Sequence, residues 1–136
     1  MIEKWKVGKI LKDGKEKALF CAKIAKEKKA QRLLLLELKG LSNITDYFLI
    51  CSGNSDRHVQ TIAREIEEKM EELGEKPLGV EGFSEGRWVL LDFDEVVVHV
   101  FQDPVREYYD LEGLWIEAPR IALPFQEEEE KDENLP

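Results

Sequence analysis

This chain of 136 residues has two cysteines, two histidines, no glycine-rich phosphate loop and no long apolar run, and each shortage removes a class of protein. Cys21 and Cys51 stand thirty residues apart and form no Cys-x-x-Cys pair. Neither a disulfide framework nor a structural zinc site is expected, and a reducing cytoplasm is. His58 and His99 are not at metal-ligand spacing, and each reads as an ordinary core or surface histidine. Neither GxxxxGK[ST] nor GxGxxG occurs. The densest apolar block, residues 33–36, falls far short of the roughly 20 residues that cross a bilayer. The first residues carry no signal-peptide hydrophobic region. A soluble intracellular protein with no membrane association is therefore expected. The length suits one domain, which can bury roughly two-thirds of its unfolded surface without metal or disulfide staples.

What the chain does have is acid. The formal charge of −9 arises from twelve Lys/Arg against five Asp/Glu in residues 1–39, seven against eighteen in 40–125, and one against six in 126–136. An acidic body lacks the clustered Lys/Arg that phosphate contacts need, so no sequence-specific nucleic-acid binding is expected. The same charge suits a basic protein partner, and it also simply aids solubility.

Residues 1–13 read as a Lys-rich arm, 14–122 as the folded domain and 123–136 as an acidic disordered tail. Over residues 14–30, Ala18, Cys21, Ala22 and Ala25 form one helical face that Leu19, Phe20 and Ile24 widen. Residues 33–38 and 47–51 read as strands. Val59, Ile62, Ala63, Ile66, Met70 and Leu73 define a second, strongly amphipathic helix, with Ser55 as N-cap, Asp56 in the first turn and Gly74 at the C-terminal cap. Residues 77–81, 87–92 and 96–101 read as three further strands joined by short turns that hold Gly82 and Gly86, and Pro104 opens a last helical turn. The strand–helix–strand portion implies a parallel pair, and the later hairpins imply antiparallel ones. The expected fold is α/β, a mixed five-stranded sheet with helices mainly on one face. Two helices cover one face, yet residues 88–91 and 96–101 are apolar on both. The second face, on the order of several hundred Å², is then expected to be bare and to meet another protein, a second copy or a different chain.

Candidate sites fall on that face and near it. Asp92 and Asp94 form a D-x-D pair that could bind a divalent metal, or could simply make a hairpin turn. Ser52-Gly-Asn-Ser55 could receive a phosphate at a helix N-terminus, and capping explains it as well. Cys51 reads as an inert small hydrophobe. Trp88 begins an apolar strand, as a core residue or as an interface anchor. Arg106, Tyr108, Tyr109, Asp110 and Trp115 crowd one segment with an interface-type composition, which a lid packed over the sheet would also explain.

The motifs Ile44-Thr-Asp-Tyr-Phe48, Gly53-Asn-Ser55, Glu81-Gly82, Arg87-Trp-Val-Leu-Leu-Asp92, Val96-Val-Val-His-Val-Phe101 and Arg106-Glu-Tyr-Tyr-Asp-Leu-Glu112, with Leu114-Trp115, follow in order. This set closely resembles the ribosomal silencing factor (RsfS, Iojap-like or YbeB) family over about residues 14–116. Two positions depart from the family pattern: the last hairpin reads Asp92-Phe93-Asp94-Glu95 in place of Asp-x-Gly-Asp, and Glu37 stands where Asp is common. The resemblance implies a nucleotidyltransferase-like fold without transferase chemistry, no catalytic residues, and neither cofactor nor metal. It implies binding to the large ribosomal subunit through ribosomal protein number fourteen, which blocks small-subunit joining and represses translation under nutrient limitation, and a homodimer when free. The family's contact surface carries over onto Trp88, Leu90 and Asp92. Strand alternation adds Val98 and Val100 as same-face neighbours, and Tyr109, Asp110 and Glu112 complete the expected partner-binding set, the acids as rim complementarity. The competing reading is a metal-dependent nucleotidyltransferase-like enzyme using Asp92 and Asp94.

Overall fold

Asp13 begins the first helix by accepting the Glu16 backbone N–H on its carboxylate, 2.9 Å away, which satisfies one of the donors a helix start leaves open. The computed structural model describes residue 11 and residues 13–126. Most of the expected arm, and the tail beyond residue 126, lie outside the described residues. Helix α1, Gly14–Glu27, buries Ile24 together with Ala18, Cys21, Ala22 and Ala25, whose small side chains let it lie close to the sheet. Strands β1, Gln31–Glu37, and β2, Tyr47–Gly53, follow. Helix α2, Asp56–Glu72, is capped by Ser55, whose hydroxyl accepts the His58 N–H, and buries Val59, Ile62, Ala63, Ile66 and Met70. Then come β3, Gly79–Glu81, β4, Trp88–Asp92, and β5, Val96–Gln102. Helices α3, Asp103–Tyr109, and α4, Leu111–Leu114, lead to a short strand β6, Arg120–Ile121.

Among the described residues the sheet has six strands in the order β3-β4-β5-β2-β1-β6, not the five expected. The sixth, β6, is two residues long and pairs Ile121 with Leu35 and Arg120 with Leu36, too short to leave a pattern in the sequence. The parallel pair also differs from expectation. It joins β2 to β5, so α2 and two further strands intervene in the chain, while β3 sits at the edge. The reason is hydrophobic. Strand β5 is buried on both faces and needs a central position, whereas the three residues of β3 are all exposed and tolerate the rim.

Helices α1 and α2 cover one face, meeting Leu35, Leu49, Cys51, Val89, Leu91, Val96, Val98 and Val100. Lys17 fastens α1 to the β4–β5 hairpin, 2.9 Å from Glu95 and 3.3 Å from Glu75. Burial disfavours the Lys17 charge, but hydrogen bonds to Glu95 and Glu75 outweigh that and raise its pKa. The opposite face is not bare, as expected, but half sealed. Leu36, Leu38, Ile50, Phe101 and Ala118 form a second cluster, and Val105, Leu111 and Trp115 from the α3–α4 segment pack onto it. The folded body also runs past residue 122: Leu123 is 1% exposed and Phe125 packs on the main core, so residues 123–126 belong to the domain and not to the tail.

Candidate functional site

The register of the β4–β5 hairpin decides which side chains share the half-open face. Trp88 pairs with Phe101, Leu90 with His99 and Asp92 with Val97. Directly opposed residues in an antiparallel pair point to the same side, so Trp88, Leu90 and Asp92 stand with Phe101, His99 and Val97. Val98 and Val100 pair with Leu91 and Val89 and are fully buried under the helices. Their expected place beside Trp88 is therefore corrected: a single residue of register reverses the face of a whole strand. The two-residue turn closing the hairpin, Asp94-Glu95, sets that register, with the Phe93 N–H donating to the Val96 carbonyl at 2.8 Å.

Trp88 lies half-buried on this face. Its ring stacks on Phe101 at 4.8 Å between centroids, and Tyr109 from the end of α3 lies 4.8 Å from it on a tilted plane. The indole N–H donates to His99 Nδ1 at 3.1 Å. An indole nitrogen can only donate, so Nδ1 carries no proton and the neutral ring holds its proton on Nε2. That atom is buried and has no partner among the described residues, which costs about 1–3 kcal/mol of lost hydration. Burial alone lowers the His99 pKa to about 4. Phe48 meets His99 edge-on at 4.5 Å, and Trp115 meets Phe48 at 6.1 Å. Aromatic rings thus cross the sheet in a row from β4 through β5 and β2 to the segment after α4. Apolar exposure continues along this side at Tyr109, Leu114 and Ile116, which are 53%, 73% and 72% exposed. The sequence reading missed His99, Phe48 and Phe101 as members of this face. His99 could have been found from its polarity within a strand otherwise apolar from Val96 to Phe101.

Delivery of Trp88 depends on Gly82 in the β3–β4 loop. Gly82 has φ of +79°, and a Cβ there would fall 2.0 Å from the Trp88 carbonyl oxygen. Beside Trp88 a cleft of about 320 Å³ is lined by Glu85, Arg87, Val105 and Tyr109. Glu81 pairs with Leu90 and so faces the same side, and Glu81, Glu85, Glu107 and Asp110 are exposed.

The expected rim acids divide. Asp110 is exposed, adopts φ of +47° and caps α4 through the Gly113 N–H at 3.1 Å. Glu112 is half-buried and accepts from Arg106 Nε at 2.7 Å. Arg106 itself, which composition placed with interface residues, is 3% exposed and also donates to the Arg32 carbonyl at 2.8 Å and to Ser52 Oγ at 2.9 Å. It is the pin that holds the α3–α4 segment against β1 and β2.

The D-x-D pair makes a turn: Asp92 Oδ1 accepts the Asp94 N–H at 2.8 Å, and Asp94 has φ of +71°. Ser55 follows β2 at the end where Gly53 pairs with Gln102, whereas Asp92 pairs with Val97, five residues back along β5. At roughly 3.3 Å per residue that separates them by about 17 Å along the strand. Two metals clamping one triphosphate cannot bridge that distance. Among the described residues no group of three His, Cys, Asp or Glu stands close enough to hold a metal. His58 accepts the Asn54 N–H on Nδ1 at 2.9 Å and meets the Lys28 carbonyl through Nε2 at 2.8 Å, a structural link between loops. Burial raises the Cys51 thiol to about 12 and holds Cys21 higher still, so both are inert.

The arrangement is a half-open aromatic face bordered by exposed acids, on a chain that has recognisable relatives. The model of the family described as "Ribosomal silencing factor during starvation" matches residues 12–135. The chain is 52% identical over 99 residues to "Ribosomal silencing factor RsfS" of Bacillus subtilis, covering 73% of this chain and 84% of that one. A crystal structure of a Chromobacterium violaceum protein superposes with a TM-score of 0.75 at 29% identity, covering 82% of this chain and 92% of that one. One from Bacillus halodurans gives 0.68 at 43% identity, covering 76% and 93%. A flat aromatic face on a six-stranded mixed sheet, an acidic body and these matches agree: the chain belongs to the RsfS family of ribosomal silencing factors.

Proposed function

We propose that this protein binds the large ribosomal subunit through ribosomal protein number fourteen and, by occupying the joining surface, keeps the small subunit away and represses translation when nutrients are limiting. The observation that carries the reading is the half-open sheet face. Trp88, Leu90 and Asp92 alternate along β4 on one side, Tyr109 overlies Trp88, and exposed acids surround them. A half-buried Trp beside an exposed Tyr, ringed by charge, is the composition of an interface centre, and the acidic surround complements a basic ribosomal surface. Asp110 supplies part of that surround, while Glu112 contributes by holding Arg106. The action is steric: no group on the face needs to make or break a bond. The nucleotidyltransferase-like class expected for the fold is read as shape without chemistry, since the D-x-D residues close a hairpin. In the same reading the free chain is a cytoplasmic homodimer. No helix among the described residues is long and apolar enough to cross a membrane.

Co-sedimentation of the protein with purified large subunits tests the proposal. The wild type should pellet with large subunits and be competed by isolated ribosomal protein number fourteen. Absence of pelleting at micromolar concentration would overturn it.

A further inference from the structure

We infer that His99 is a positioning residue for the docking face: by accepting the Trp88 indole N–H it fixes the indole in one orientation along the sheet and so prearranges the surface that meets the partner. The inference rests on the reading of Trp88 as a contact residue and deepens it.

Three observations converge. His99 lies on β5 diagonally across from Trp88, since Trp88 pairs with Phe101 and Leu90 with His99. The indole N–H reaches Nδ1 at 3.1 Å while the ring stacks on Phe101 at 4.8 Å, which sets both the direction of the indole and its plane. The bond also fixes the proton of His99 on Nε2, an atom buried without a partner among the described residues. An apolar side chain would fill this place on the sheet without leaving a donor unpaired. What histidine supplies here and an apolar residue does not is the acceptor toward Trp88. With that acceptor removed, the indole could rotate about χ1 and χ2 toward the cleft lined by Glu85, Arg87 and Tyr109, and binding would have to select one orientation from several.

The choice of replacement separates positioning from mere packing. The carboxamide oxygen of Asn can occupy the place of Nδ1, whereas the longer Gln carries its oxygen toward the place of Nε2, and Leu offers no acceptor. The test uses the full chain with His99→Asn, His99→Gln, His99→Leu and Trp88→Ala. Two readouts are taken: ¹H–¹⁵N spectra of the indole N–H in the free protein, and affinity for purified large subunits. The expected result is a downfield, slowly exchanging Trp88 indole proton in the wild type and His99→Asn, lost in His99→Gln and His99→Leu. Affinity should stay within about threefold for His99→Asn and fall about tenfold for the other two, as for loss of one hydrogen bond that orders a contact side chain. Long-range ¹⁵N correlation should show His99 protonated on Nε2. A Nδ1-protonated ring, or unaltered affinity in folded His99→Leu while Trp88→Ala abolishes binding, overturns the positioning role and leaves the docking reading standing. Unaltered affinity in folded Trp88→Ala overturns the docking reading, and the positioning role falls with it.

Discussion

Replacing Arg106 by Ala should unpin the α3–α4 segment from the sheet. The side chain is 3% exposed and makes three hydrogen bonds, to Glu112, the Arg32 carbonyl and Ser52 Oγ. Removing it leaves the Glu112 carboxylate half-buried beside an empty space, and the carbonyl and hydroxyl each lose a charged donor. Breaking a buried pair from one side costs about 3–5 kcal/mol, about a fifth or more of the roughly 5–15 kcal/mol that holds a domain of this size together. In urea, at a slope of about 2 kcal/mol per molar, a loss of about 4 kcal/mol lowers the unfolding midpoint by about 2 M. The double variant Arg106→Met with Glu112→Leu should recover most of that, because an apolar pair leaves no stranded charge. Near-ultraviolet circular dichroism during urea unfolding reads the change, since Trp115 and Tyr109 flank the pin. A midpoint shift under about 0.5 M for Arg106→Ala would refute the reasoning and mean that apolar contacts alone seat the segment.

Acidification should destabilise the fold through His99. Its folded-state pKa of about 4 lies below its ordinary 6.5, so the unfolded chain takes up the proton first. Stability is then independent of this group above pH 6.5 and falls by about 3 kcal/mol between pH 6.5 and 4; His99→Asn should lack that component, and parallel stability curves for the two proteins would contradict it. Gly82→Ala should cost about 2 kcal/mol or more, since its Cβ meets a backbone oxygen at 2.0 Å, whereas Gly40→Ala, with φ of +80° but nothing among the described residues within 4 Å, should cost only about 1 kcal/mol of backbone strain; equal losses in thermal unfolding would rule out the contact. Val98→Ser should destabilise by about 2–4 kcal/mol and Leu90→Ser by under about 1.5, while only Leu90→Ser should weaken large-subunit binding without loss of fold; denaturant midpoints and co-sedimentation together distinguish the two faces.

Helices α1 and α2 were legible because their burial has a period, whereas α4, four residues long with none buried, was not expected. Val59, Ile62, Ala63, Ile66 and Met70 fall on one stripe, and Ser55 marks its start. The existence of β4 and β5 was legible from apolar runs bounded by turn residues, but the faces of β5 were not. Val97 and Val98 are both valines buried on opposite sides, and a strand apolar at every position carries no parity from which to infer its pairing. Only the turn at Asp94 and Glu95, fixed by backbone geometry, decides it. Long-range order was likewise hidden, because nothing local in residues 47–53 says that β5 and not β3 will lie alongside. Arg106 misled for a chemical reason. Its guanidinium is as well suited to a buried network as to an interface, and the partners that decide between them, Arg32 and Ser52, lie more than fifty residues away in the chain. On the half-open face, Trp88, Leu90 and Asp92 were named from the family resemblance and do share one side of β4, whereas strand alternation added Val98 and Val100, which the register turns to the other side, and the aromatic row through His99 and Phe48 required the sheet order.

Subunit joining is the most direct readout. Purified large and small subunits mixed in magnesium form joined particles that light scattering follows in real time. Wild-type protein added to the large subunits first should suppress joining in proportion to its occupancy, and Trp88→Ala should need about thirtyfold more protein for the same suppression, the equivalent of about 2 kcal/mol at an interface centre. Undiminished joining with large subunits saturated by the wild type would contradict steric exclusion outright.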